Sequence, residues 1–206
     1  MSPRSYVMTR RAEAAARTHR RLVEATAALH AERGVAATSM RDIAARADVG
    51  IGTVYHHFAS YEDAIRACGA HTVQLSRPPV STVFDGVRGW RRRVRVLVDE
   101  LFAYYDRQGR SWGRIRADAP SYPALSEMLS RRQAHIRQFV ATALAPLAPD
   151  PRTVDTVVAL TDYAMHHQLI EAGLSTEQAS AQIFDVLTAW LGKHKRSSHR
   201  LERDSR

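Results

Sequence analysis

The chain has 206 residues and carries 30 Lys plus Arg against 21 Asp plus Glu, a formal net charge of +9. That balance favours an anionic partner such as nucleic acid, and the length allows one sizeable core with a small appendage or two compact units. One cysteine, Cys68, excludes an internal disulfide, the basic N-terminus lacks a signal peptide's apolar stretch, and no apolar window is long enough for a membrane span; the expected location is therefore cytoplasmic.

Residues 1–17 read as a basic N-terminal arm, with Arg4, Arg10, Arg11 and Arg17 against Glu13 alone. Together with Arg20 and Arg21, such an arm can add an electrostatic or minor-groove contact to DNA, or simply be disordered. From residue 18, Leu22, Ala25 and Leu29 place an apolar face on a first helix. Thr38 or Ser39 then offers a cap, and Asp42, three residues beyond Ser39, can reach back to close a capping box. Met40, Ile43, Ala44 and Ala47 follow at helical spacing. Asp48-Val49-Gly50 breaks that helix, and Gly50 and Gly52 keep the next one thin at its start, where Ile51, Thr53, Tyr55, His56 and His57 are displayed. The outline is a helix-turn-helix, with a donor-rich helix start suited to a DNA major groove.

Gly34, Thr38-Ser39, Ile43-Ala44, Val49, Gly52-Thr53, Tyr55 and Phe58 together resemble the DNA-binding half of the TetR (tetracycline repressor) family. The resemblance covers roughly residues 18 to 66 and implies a three-helix DNA-binding domain there. Three positions depart from the family pattern: His30 stands for a core Phe, Gly50 for a capping Ser, and Tyr61 for a phosphate-binding Lys. By charge and reach, Arg41, Ile51 and Thr53 are the candidates for base selection. Thr38, Ser39, the amides near Gly50 and Gly52, and the side chains of Tyr55, His56 and His57 are candidates for phosphate, with Tyr55 and His57 favoured by the resemblance. Against these readings, Val54 and Phe58 fit a core, Tyr55 could be half core, and Arg46 fits a solvated face. The chain has no Asn, and no Gln lies between residues 38 and 63, so bidentate amide readout of adenine is absent from this segment.

The remainder also has helical periodicity, so the expected fold is all-α: an N-terminal helix-turn-helix domain at 18–66 and a larger helical ligand-binding and dimerisation domain at 67–192. A linking helix runs from Glu62 to about Gln74 and stops before Pro78-Pro79. An apolar stripe from about Val83 to Asp106 predicts a core-crossing helix, 109–123 is broken by prolines, and 124–144 is helical again. Helices near 153–172 and 176–191 form an antiparallel hairpin. In the TetR family the corresponding pair makes a four-helix dimer interface, so the resemblance implies a homodimer here; otherwise the hairpin completes a monomer core. Residues 193–206 are nearly devoid of apolar groups and read as a disordered basic tail.

No catalytic residue, cofactor or metal is assigned. Gly50-x-Gly52 has no preceding strand, and the adjacent pairs His56-His57 and His166-His167 point about 100° apart on a helix, too divergent to chelate one ion. The polar or aromatic groups interrupting the apolar stripes, Tyr104, Tyr105, Trp112, Phe139, Tyr163, His166 and His167, are the candidates for a ligand cavity; the alternative for each is ordinary core. The expected function is a non-enzymatic, ligand-responsive transcriptional regulator. It would act first as a repressor, bind a palindromic double-stranded DNA operator as a homodimer, and be released by a small-molecule effector. A non-specific architectural DNA-binding protein is the alternative.

Overall fold

The computed structural model describes the backbone of residues 3–109 and 112–204, and side chains over 10–109 and 112–193. The helices in chain order are α1 (Pro3–Arg33), α2 (Met40–Arg46), α3 (Ile51–His57), α4 (Tyr61–Ser76), α5 (Trp90–Gln108), α6 (Trp112–Asp118), α7 (Pro123–Leu144), α8 (Pro151–Leu160), α9 (Tyr163–Glu171) and α10 (Thr176–Asp204). Short 3-10 turns lie at Ser81–Phe84, Ala119–Ser121 and Ala145–Leu147. Among the described residues there is no strand, and no helix is long and apolar enough to cross a membrane.

The chain divides into two compact units, one formed by residues 1–76 with 110–131 and the other by 77–109 with 132–206. The first unit is thus discontinuous in sequence. Its core gathers Leu22, Val23 and Leu29 of α1 with Ile43 of α2, Val54 of α3 and Phe58. A second cluster joins Val35 and Ile65 to Ala119, Ala124 and Leu125. In the other unit α5 packs against α10, burying Val94, Leu97, Val98, Leu101, Ile183 and Leu187. Arg93 closes the end of α7, its guanidinium donating to the carbonyls of Thr142, Ala143 and Phe84 at 2.7, 3.0 and 3.0 Å.

Several elements depart from the sequence reading. The segment expected as an arm at 1–17 is helical from Pro3 onward and continuous with α1. Pro3 suits a first helical position, and 4–17 hold four alanines and no Gly. The disordered tail expected at 193–206 is instead helical as far as Asp204. Its Lys, Arg, Leu and Glu have good helix propensity and no Gly or Pro interrupts them, so lack of an apolar face did not end the helix.

The helix expected over 153–172 is broken. Thr161 is fully buried and its Oγ1 donates to the Val157 carbonyl at 2.7 Å, while Asp162 takes an extended conformation as the N-cap of α9. A buried Thr that bonds back into its own helix competes with the regular backbone ladder. The stripe read from Val83 begins as a helix only at Trp90, because Gly86 and Gly89 adopt positive φ.

Candidate nucleic-acid interface

The α2–α3 segment is shaped by caps and a pinned turn. Ser39 is the N-cap of α2, and the reciprocal pair is complete: the Asp42 amide donates to Ser39 Oγ and the Ser39 amide donates to the Asp42 carboxylate. Ser39, Arg33 and the Ser39 backbone, in that order, hold the Asp42 carboxyl below its usual range. The turn after α2 passes through Asp48 at φ 50°. There the Arg21 guanidinium donates to the Ala47 carbonyl and, at 3.4 Å, to that of Asp48. Arg21, counted among the arm's basic groups in the sequence, therefore braces the turn. The N-cap of α3 is Gly50, with extended backbone and no side-chain cap. A thin helix start leaves its amides open to an approaching phosphate.

Of the ten DNA-contact candidates, Arg41, Gly50, Ile51, Gly52, Tyr55 and His56 are exposed and Thr53 and His57 half-buried. Tyr55 is 55% exposed, which decides against a half-core role. Val54 and Phe58 are buried and seat α3 on the core. Thr38 is placed differently: it is buried, and its hydroxyl donates to the Gly34 carbonyl at 2.8 Å. Ser39 is exposed, but its hydroxyl is engaged with Asp42 at 2.6 Å. Arg46 is an exposed group paired with Glu32 at 2.6 Å.

His30 and Tyr61, two of the departures from the family pattern, meet in the interior. The Tyr61 hydroxyl donates to the Val35 carbonyl at 2.7 Å and lies 2.9 Å from His30 Nε2. Since that hydroxyl proton is already used, His30 Nε2 must be the donor. His30 Nδ1 is then an acceptor, facing Cys68 Sγ at 3.6 Å. Burial pushes the Cys68 thiol up to about 11, so it keeps the proton it offers. Burial also lowers His30 to about 4, against the opposing field of Asp118, and raises the Tyr61 phenol. Tyr61 therefore faces inward. Asp118 closes the same region by accepting from the Val35 and Ala36 amides at 2.7 and 3.0 Å. Gly34, at φ 91°, permits this, because an added Cβ would lie 2.9 Å from the Asp118 carboxylate.

The ligand candidates divide. Tyr104, Tyr105, Tyr163, His166 and His167 form a continuous ring cluster in the second unit. Tyr105 lies 5.7 Å from Tyr104, 5.9 Å from Tyr163 and 5.8 Å from His166, and Tyr163 stacks on His167 at 5.5 Å. Phe139 packs apart, on Phe84 at 4.8 Å, and Trp112 belongs to the first unit. Periodicity missed Phe102, whose ring is 4.9 Å from His166, and Arg132, whose guanidinium sits 5.1 Å from the Tyr104 ring centre while its Nε donates to the Tyr104 hydroxyl at 3.1 Å. Phe102 stands one helical turn from Tyr105 and Asp106 on α5, which is the signal that could have found it. Burial lowers the His166 imidazole, opposed by Asp106 at 3.4 Å and reinforced by His167. Among the described residues no group of three or more His, Cys, Asp or Glu is placed to hold a metal ion.

Residues 22–68 match the family described as bacterial regulatory proteins, tetR family. The chain resembles that family over this segment, which holds α2 and α3. It is 52% identical over 44 residues to the HTH-type transcriptional repressor KstR2 of Mycobacterium tuberculosis, a match covering 21% of this chain and 22% of that protein. Only about a fifth of this relative is therefore spanned. Solved structures extend the likeness across both units. A transcriptional regulator from Rhodococcus shares 21% identity over 85% of this chain and 96% of its own, with a TM-score of 0.60. A Saccharomonospora viridis protein solved in complex with choline shares 18% identity over 82% and 95%, with a TM-score of 0.61. At these identities the fold is what is shared.

Proposed function

We propose that this protein is a ligand-responsive transcriptional regulator of the TetR type, in the first instance a repressor, that binds a palindromic operator as a homodimer. The observation that carries the reading is α3: a glycine-opened helix seated on the core by Val54, with Ile51, Tyr55 and His56 left exposed. Arg41, Ile51 and Thr53 select bases, while Tyr55, His57 and the amides near Gly50 and Gly52 hold phosphates. One seven-residue helix contacts too few base pairs for genomic specificity, and a two-fold pair in successive major grooves supplies the rest. Dimerisation runs through α8, α9 and α10, on which Val186 is an exposed apolar group. The effector occupies the ring cluster of Tyr104, Tyr105, Tyr163, His166 and His167 and shifts the population away from the DNA-competent state. The choline held by the S. viridis protein is consistent with small-molecule binding in this fold.

Selection of duplexes from a random pool by the full-length protein, followed by sizing of free and bound protein in sedimentation, tests the reading. A palindromic consensus bound by a dimer is expected, and Arg41→Ala with Thr53→Ala should cost about 1–3 kcal/mol for each lost base contact. A stable monomer, or equal affinity for unrelated duplexes, overturns it.

A further inference from the structure

A groove of about 620 Å³ opens between α1, α3 and α4 in the first unit, lined by alanines of α1 and α4 and by four basic groups, His19, Arg20, His57 and His71. The lining contains no carboxylate. His19 reaches across from α1, its ring centre 5.7 Å from that of His57 and 5.3 Å from that of Phe58. His57 lies 5.4 Å from His56 in turn. Three imidazoles thus run in contact from α1 to the end of α3, anchored on the buried Phe58 ring. Among the described residues, none hydrogen-bonds to their ring nitrogens.

Every titratable or charged group lining this groove is neutral or cationic: His19 and Arg20 on α1, His57 on α3 and His71 on α4; His56 adds a further imidazole beside His57. Burial lowers the His57 imidazole below its ordinary range, and His19 and His56 lower it further. An arrangement of this kind takes up a proton readily only when an anion arrives to compensate the charge. On the operator-binding reading, the anion that would reach the end of α3 is a phosphodiester of the duplex.

We propose that His19 and His57 form a proton-linked contact for the DNA backbone, so that operator binding takes up a proton and affinity rises as pH falls. The inference rests on the operator-binding reading given above. His57 meets the phosphate. His19 acts as a positioning residue, its ring touching both His57 and Phe58 and setting how strongly an anion is required before His57 is charged.

The test is fluorescence anisotropy of the full-length protein with a labelled duplex enriched from a random-sequence pool, at fixed salt from about pH 6 to about pH 8. Affinity should fall as pH rises, by up to about tenfold per pH unit where one proton is linked. His57→Gln should bind at every pH no more tightly than the wild type does at the alkaline end. His19→Gln removes a repelling neighbour and should move the onset of the dependence to higher pH. NMR titration of the wild-type imidazoles, with and without the duplex, keeps the test independent of variant folding: the His57 pKa should rise on binding. Wild-type affinity that is flat with pH, a dependence unchanged in His57→Gln, or a His57 pKa that DNA leaves in place overturns the proposal. Failure to enrich any duplex overturns the operator reading instead.

Discussion

The Tyr61 hydroxyl serves two partners through one oxygen, donating to the Val35 carbonyl while accepting from His30 Nε2. Tyr61→Phe therefore strands the buried His30 N–H, while the Val35 carbonyl loses one donor and keeps the Thr38 amide at 3.1 Å; an orphaned buried polar group costs about 1–3 kcal/mol. His30→Phe strands less, because Tyr61 keeps its bond to Val35 and only the weak thiol donor of Cys68 loses its acceptor. Urea unfolding of the two single variants and the double variant should show Tyr61→Phe as the more harmful single change. The double variant should cost less than the sum, with a coupling of about 0.5–3 kcal/mol; strict additivity would dissolve the network. Gly34 presents the opposite case, a residue defined by what it lacks. Gly34→Ala combines a left-handed backbone with a Cβ 2.9 Å from the Asp118 carboxylate. It should destabilise by more than the roughly 1 kcal/mol of the backbone term alone, read as a lowered urea midpoint.

Helix ends decide how much of α2 and α3 was legible. Ser39 and Asp42 sit at capping-box spacing, so the start of α2 could be read from the chain, as could the apolar spacing that seats Val54 and Phe58. Ser39→Ala should cost about 1 kcal/mol. Gly50→Ser should gain a few tenths of a kcal/mol, because the backbone there is extended and an added Cβ meets nothing within 4 Å. Thermal melts of both variants check the pair, and loss of stability in Gly50→Ser would mean that the glycine is required for reasons other than capping. What could not be read were contacts made across sequence. Arg21 looked like an arm cation until the turn it braces came within reach, and Thr38 looked like a phosphate donor until its hydroxyl met the Gly34 carbonyl. Thr161 gave no sequence signal of a break, since Thr is tolerated in helices and its back-bond depends on burial. In the ring cluster the aromatic identities were visible, but partition of Trp112 and Phe139 away from it follows from packing that periodicity does not encode.

At the scale of the whole molecule the first unit borrows residues 110–131 from far along the chain. That loan brings Asp118 to the amides of Val35 and Ala36 and its charge into the field of His30. His30 is neutral in the fold because burial lowers it from 6.5 to about 4. An unfolded chain, with the imidazole near its ordinary value, binds a proton throughout that interval while the folded chain does not. Unfolding is therefore favoured as pH falls through 6.5, and the contribution approaches roughly 3 kcal/mol near pH 4. Above 6.5 both states are neutral at this site and the contribution is absent. The net charge of +9 acts in the same direction, since protonation of carboxylates adds to a repulsion already present. The two effects separate by substitution: His30→Phe abolishes the first and leaves the second. Hydrogen exchange at amides of α1 and α4, compared at about pH 7 and about pH 5 after correction for intrinsic rates, should show wild-type protection falling more steeply with acid than that of His30→Phe. Equal slopes in the two proteins would mean that His30 is not the acid-sensitive group of this unit.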